Sequence, residues 1–382
     1  MIKFDASSNW VILLPSDLQQ ADKAARDLSR YIGLLAALKE ERFRETTLLK
    51  TRLREARLHG ERDRKQPEIA DAFKAAPNGP VIVLNCERLE AEQNGFTWRA
   101  APERIEIYGE SCRGLCNGIY SFLAALGISW PAPGQEKLPT PEAENLHGGP
   151  SIPFSLTCDK IHEPSNYEGK DSAAAPWRRF VPDGKKTIKN ILKKSEAFAA
   201  WAARRRYDAL VFPLAVFASG SSGRKLKRLK QFAAQYCISI EAGGWDISSL
   251  VPRKYFFFHN DFFRMEQGKR KKAHQFCPTN PGAIALIGTE GGKLLRQADV
   301  KTFHLWPDKG EAATWCSCPT CRAFTPAEQN RIAVNAAADV LAVFNPDAAI
   351  TYFEKAGEGG SIRLRKNLFR MERLPEEKEI RK

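Results

Sequence analysis

The sequence predicts an α/β protein of two units, the second built on a parallel sheet. Three observations carry that expectation. Short apolar runs alternate with helical stretches from about residue 150 onward, and repeated strand–helix alternation means parallel strands. A polar, Pro-rich stretch from Trp130 to Pro153 divides this half from an earlier α/β series. The 382 residues suffice for two domains at roughly 100–200 residues each.

The first unit is expected to span residues 1–150. Trp10-Val-Ile-Leu-Leu14 is a short apolar strand stopped by Pro15. Asp17 can cap a helix whose apolar positions Leu18, Ala21, Ala25, Leu28 and Ile32 recur at helical spacing. The charge-rich stretch near 34–75 is expected as a helical insertion. Pro80–Leu84 is a second buried strand, while Phe96–Trp98 and Arg104–Tyr108 alternate as half-buried strands do. A helix from Arg113 ends at Gly127, where a left-handed cap is expected.

The second unit is expected over 151–382. Its strands are Phe154–Cys158, Asp208–Pro213, Cys237–Glu241, Phe303–Trp306, Ala349–Phe353 and Asn367–Met371, with helices between them. Asn280 before Pro281 reads as a helix cap, and Thr325-Pro-Ala-Glu328 as a capping box. A barrel and an open doubly wound sheet both fit this alternation. A closed barrel needs eight units, so a barrel here would stop short.

Composition excludes several classes. No apolar run approaches the ~20 residues that cross a bilayer. Met1-Ile-Lys-Phe-Asp5 lacks the pattern of a secretory signal, so a cytoplasmic location is expected. The net charge of +14 invites a nucleic-acid reading. The basic residues, however, fall in separate clusters, the first heavily interleaved with Glu, so a solvated surface is favoured and nucleic acid is not. Homo-oligomerisation stays open. Nine cysteines, an odd number unevenly spaced, argue against a disulfide framework. Cys86, Cys112, Cys116, Cys158 and Cys237 read as small core residues.

The most informative segment is Thr302–Glu311 followed by Cys316-x-Cys318-x-x-Cys321. An apolar strand ends in two acids, Asp308 and Glu311, at the position where α/β enzymes keep their chemistry. Cys316, Cys318 and Cys321 supply three of the four ligands of a structural zinc site, with Cys277, His274 or His304 as candidates for the fourth. Three reduced thiols, or one local disulfide, would explain the same spacing.

Glu110–Leu123, Phe276–Pro281, Leu305–Glu311 and Cys316–Cys321 together resemble domain-of-unknown-function family 4838. The resemblance covers most of the chain from Trp10 to about Phe353. It implies an N-terminal α/β accessory domain, similar to the non-catalytic domain of β-hexosaminidases and α-glucuronidases. That domain would be followed by a carbohydrate-active (β/α) TIM-type barrel, here incomplete at its C-terminus. Where a Gly-Gly-His run is expected after the third strand, this chain has Gly243-Gly-Trp245.

Within that resemblance the site residues acquire roles. Glycoside hydrolysis uses a carboxylic acid and a second carboxylate. Glu311 is the candidate general acid and Asp308 its partner, unless one caps the following segment and the other pairs with Lys309 or an Arg. Trp177, Trp245, Trp306 and Trp315 follow expected strand ends and are candidate sugar platforms. Arg178, with Arg179 and Arg264, is placed to hold a carboxylated sugar through bidentate pairs. His162 and His259 sit in loops within reach of such a ligand. The leading function is a glycoside hydrolase-like activity on an oligosaccharide with acidic or N-acetylated sugars. A non-catalytic carbohydrate-binding relative and a metal-stabilised nucleic-acid-binding protein are the alternatives.

Overall fold

The computed structural model describes residues 2–3, 10–15, 18–40, 47–51, 80–87, 94–101, 103–139, 151–152, 178–308, 315–354 and 360–371. Near the N-terminus, β1 (Ile2–Lys3) pairs antiparallel with the distant β7 (Ser151–Ile152). Between them lie β2 (Val11–Pro15), β3 (Thr47–Thr51), β4 (Val81–Cys86), β5 (Phe96–Ala101) and β6 (Arg104–Gly109). These five form one sheet in the order β3-β2-β4-β6-β5, parallel except for the antiparallel β5–β6 pair. Helix Asp22–Glu40 buries Ala24, Ala25, Leu28, Tyr31 and Ile32, one face at helical spacing. Helix Cys112–Ala125 starts at Ser111, whose Oγ accepts from the Gly114 N–H, and ends before Gly127 at φ +88°.

One expectation for this unit is corrected. Within the helical insertion expected near 34–75, the chain is helical to Glu40 as part of helix Asp22–Glu40, but Thr47–Thr51 is strand β3. It pairs in parallel register with all of Val11–Pro15, and a ladder beside a buried strand outweighs local helix propensity. Residues 41–46 and 52–75 of the insertion lie outside the described residues.

The second sheet contains β8 (Arg179–Phe180), β9 (Ala209–Phe212), β10 (Ser239–Gly244), β13 (Thr302–Leu305), β14 (Ala349–Phe353) and β15 (Leu368–Met371). A small hairpin, β11 (Met265–Glu266) and β12 (Lys269–Arg270), stands apart in the excursion after β10. All neighbours in the six-stranded sheet are parallel, and the spatial order follows the chain order. A doubly wound sheet reverses its order at a switch point, and this one does not. It is therefore a barrel-type sheet, a half-barrel of six strands among the described residues. Strand β8 was not anticipated because Arg179-Phe180 is too short to carry a pattern. The strand expected at Phe154–Cys158 lies outside the described residues.

Helices cover one face. The expected helix from Ile188 to Arg204 is two, Gly184–Lys193 and Ser195–Arg204. Gly220–Ala234 follows β9, and Pro281–Leu286 opens the helical stretch before β13. Asn280 caps the latter by accepting from Gly282 and Ala283 N–H. The capping box of Thr325 and Glu328 opens Pro326–Phe344.

The two sheets are joined through buried polar contacts. The Arg113 guanidinium donates to the Tyr236 and Ala203 carbonyls at 2.9 and 3.2 Å and lies 3.4 Å from Asp208. Asn117 donates to Asp208 at 2.9 Å, and Arg204 pairs with Asp27 at 3.1 Å. Cys112 and Cys237 form a disulfide across the same junction, which corrects their reading as lone core thiols. Sequence could not show this, because the two residues lie 125 positions apart. Cys116 is a buried free thiol, as expected.

Candidate functional site

Alternation along the strands gives the sheet two faces. Leu210, Phe212, Ala242, Phe303, Leu305, Ile350 and Tyr352 pack among the helix-side cores. The opposite face carries polar groups. Arg179 Nε donates to Glu241 at 2.6 Å, His304 Nε2 lies 2.7 Å from the same carboxylate, and His304 Nδ1 lies 2.6 Å from Thr351 Oγ1. Trp306 Nε1, a donor only, donates to Thr351 Oγ1 at 3.1 Å. The threonine hydroxyl can then donate to Nδ1, which leaves the proton of a neutral His304 on Nε2, facing Glu241. Burial lowers the His304 pKa against the pull of Glu241. Burial also pushes the Glu241 carboxyl up, but Arg179 and His304 outweigh it and hold it at about 2. Glu241 and His304 are buried, so this chain is a rigid interior support rather than a contact surface. His304 is thereby removed as a thiol-site ligand.

The strand exits lie directly above. Beyond β10 and β13 the backbones remain zipped: Trp306 N donates to the Gly244 carbonyl at 3.0 Å and Ile247 N to the Trp306 carbonyl at 3.3 Å. Gly243, at φ +108°, permits this approach, since a Cβ there would collide with the His304 carbonyl. Asp246 and Asp308 thus each stand two residues past a zipped strand end, at the C-terminal edge where barrels place chemistry.

The two acids differ in environment. Burial is the main cause raising the Asp246 carboxyl to about 6; the Leu214 N–H and Ser249 oppose it, and the Asp308 charge adds to it. Asp246 Oδ2 accepts from Leu214 N at 2.8 Å, at the start of helix Leu214–Ala218. Asp308 accepts from Ser248 Oγ at 2.6 Å and faces the Arg253 guanidinium at 3.6 Å. A carboxyl that keeps its proton to about pH 6 beside one set against a cation is an acid–base pair in form. Glu311, the other expected acid, lies outside the described residues. Asp246 escaped the sequence reading, although the rule that singled out Asp308 applies equally to Gly243-Gly-Trp-Asp246.

The three expected thiols converge with a fourth. Cys277, Cys316, Cys318 and Cys321 are all buried, and their sulfurs lie within 4.8 Å of one another. Cys277 Sγ is 3.8 Å from that of Cys318 and 3.6 Å from that of Cys321. Four thiolates about 2.3 Å from a tetrahedral zinc stand about 3.8 Å apart, so the spacing fits. The Met265 N–H points at Cys316 Sγ at 3.2 Å, and Arg270 NH1 stands 3.8 Å from it. Both stabilise negative sulfur. Of the fourth-ligand candidates, Cys277 takes the place; the backbone carbonyl of His274 instead accepts from Arg253. The cluster ties the excursion after β10 to the loop after β13, the two segments that carry Asp246 and Asp308.

The aromatic and basic candidates divide. Trp306 is fully buried, so no sugar ring can stack on it. Trp315 is also buried, edge-on to Phe276. Trp245 is partly exposed and edge-on to Trp306 with centroids 5.8 Å apart, which leaves it the candidate platform beside Asp246. Arg178 precedes β8, at the N-terminal end of the sheet. Its backbone N–H donates to Asp208 and its guanidinium to the Arg205 carbonyl, so it stands away from the acids. Arg264 is buried against Glu266 and the Ala273 carbonyl. His259 is exposed and stacked on Phe262. Trp177 and His162 lie outside the described residues.

No protein-family model and no curated protein matches the chain. Among solved structures it is similar to the chitobiase of Flavobacterium johnsoniae, at 11% identity and a TM-score of 0.50 over 96% of this chain and 52% of that one. It is also similar to the β-N-acetylhexosaminidase of Bacteroides fragilis, at 12% identity and a TM-score of 0.47 over 97% and 66%. The β-N-acetylhexosaminidase of Streptomyces coelicolor A3(2) gives 10% and 0.44 over 97% and 66%. The chain spans between half and two thirds of the length of these structures. At such identity the likeness is one of fold alone.

Proposed function

We propose that the protein is a glycoside hydrolase-like enzyme of the family 4838 type, acting on an oligosaccharide that contains N-acetylated or acidic sugars. The observation that carries this reading is the pairing of Asp246 and Asp308 at the C-terminal edge of neighbouring parallel strands. Protonation of a leaving glycosidic oxygen needs a carboxyl that keeps its proton near working pH, and the raised Asp246 suits that step. Asp308, oriented by Ser248 and Arg253, suits the ionised partner that stabilises charge at the anomeric carbon. Glu311, three residues farther on, is the rival acid. Trp245 is the sugar platform. The Cys277, Cys316, Cys318 and Cys321 site holds structural zinc, which fixes the two loops without entering the chemistry. The fold of the chitobiase neighbour supports a saccharide substrate.

The test is release of the aryl group from a panel of aryl glycosides that includes β-N-acetylglucosaminides and glucuronides. Turnover is expected, with loss of at least a hundredfold in kcat in Asp308→Asn, in keeping with the usual contribution of acid–base groups. Comparing Asp246→Asn with Glu311→Gln identifies the acid. Saccharide binding without turnover of any substrate would favour the non-catalytic reading.

A further inference from the structure

The excursion between β10 and helix Pro281–Leu286 carries a second surface. Phe257 and Phe258 are 75% and 85% exposed, adjacent in sequence on a short 3-10 turn, Arg253–Phe257 and its C-cap. Leaving two phenylalanines in water forgoes about 1.5–3 kcal/mol each, so their exposure calls for an explanation. An exposed cation covers one of them, and others lie on the neighbouring hairpin. Lys272 Nζ stands 4.4 Å over the Phe257 ring, and Lys269 and Lys271 lie on or beside the β11–β12 hairpin. From Arg253 to Lys272 there are seven basic and two acidic residues, a net charge of +5. Asp261 bonds Asn280 and Glu266 pairs with Arg264, while Lys254 reaches Glu290. Among the described residues, Lys269, Lys271 and Lys272 form no ion pair.

This surface is built rather than loose. Gln267 and Gly268, at φ +48° and +77°, turn the hairpin tightly. Cys277 fastens the base of the excursion to the loop after β13. Arg253 links the surface to the candidate site: its guanidinium faces Asp308 at 3.6 Å and lies over the Phe263 ring. Arg253 and Phe257 share one 3-10 turn with Phe258 at its C-cap, so a single turn of backbone joins Asp308 to the exposed rings.

We infer that the surface of Phe257, Phe258, Lys269, Lys271 and Lys272 binds a uronate-bearing glycan chain, whose end reaches Asp246 and Asp308. The ring faces take pyranose C–H faces, and the lysines take carboxylates. The inference names the substrate class and rests on the saccharide reading of that carboxyl pair.

The test uses the full chain and sodium polygalacturonate oligomers, with neutral chitin oligomers, anionic phosphatidylserine vesicles and poly(U) RNA as comparators. Binding is measured by calorimetry at low and high salt. The acidic oligomer should be preferred, with binding that weakens as salt rises. At least a tenfold loss is expected in both Phe257→Ala/Phe258→Ala and Lys271→Glu/Lys272→Glu, each with an unchanged thermal midpoint. Equal binding of neutral and acidic oligomers would overturn the inference, as would preference for vesicles or RNA, or variants that bind as the parent does. Aryl-glycoside turnover without oligomer binding sinks this inference alone. Loop-dependent oligomer binding without turnover sinks the hydrolytic reading alone.

Discussion

Replacing Asp246 by Asn should make the protein more stable at neutral pH and remove part of its pH dependence. The Asp246 carboxyl is raised from 3.8 to about 6, chiefly by burial. Between those values the folded state binds the proton more tightly than the unfolded chain does. Stability therefore falls as pH rises through about 4 to 6, and the deficit is complete above 6. About 2 units at roughly 1.4 kcal/mol each give about 3 kcal/mol of destabilisation at pH 7. Asparagine keeps an oxygen to accept from the Leu214 N–H, 2.8 Å away in the parent, and carries no charge toward Asp308. Urea unfolding from pH 4 to 7.5 measures the effect. The variant should gain about 2–3 kcal/mol at pH 7, little at pH 4, and lose the slope between them. Parallel curves for the two proteins would refute a buried, proton-holding Asp246.

Further predictions follow from the supports of the site. The purified chain should carry about one zinc per molecule by elemental analysis, and Cys277→Ser should lose it together with thermal stability. Metal-free protein of unchanged stability would contradict the zinc assignment. Glu241→Gln leaves the buried Arg179 guanidinium without its counter-charge and should cost about 3–5 kcal/mol in urea unfolding at pH 7. Because its folded pKa lies at about 2, below the ordinary 4.5, the stability Glu241 supplies is complete above 4.5 and disappears as pH falls toward 2. Gly243→Ala should fold poorly or melt much earlier, since φ +108° and the His304 carbonyl both resist a side chain.

Much of the fold was legible because its strands are buried and periodic. Asp208–Pro213, Phe303–Trp306 and Ala349–Phe353 each contain or overlap a strand of the second sheet. The caps at Asn280 and Thr325 use local chemistry that a sequence states outright. Elements set by distant partners were hidden: β3 depends on the ladder with Val11–Pro15, and the disulfide joins positions 125 apart. The same limit shaped the site. The thiol cluster was three-quarters visible because three ligands are local, whereas Cys277 arrives from another loop. Tryptophans after strand ends looked alike in sequence, yet Trp306 turns inward to Thr351 while Trp245 stays partly exposed. Pairing Asp308 with Asp246 required knowing that β10 and β13 are neighbours.

The most direct measurement is kcat/KM for an aryl glycoside against pH, in the parent and in Asp246→Asn. In the parent the rate should fall on the alkaline side near pH 6, following the proton on Asp246, and the variant should lose that limb with most of the activity. Identical profiles and rates in the two proteins would contradict the assignment of Asp246 as the proton donor of the site.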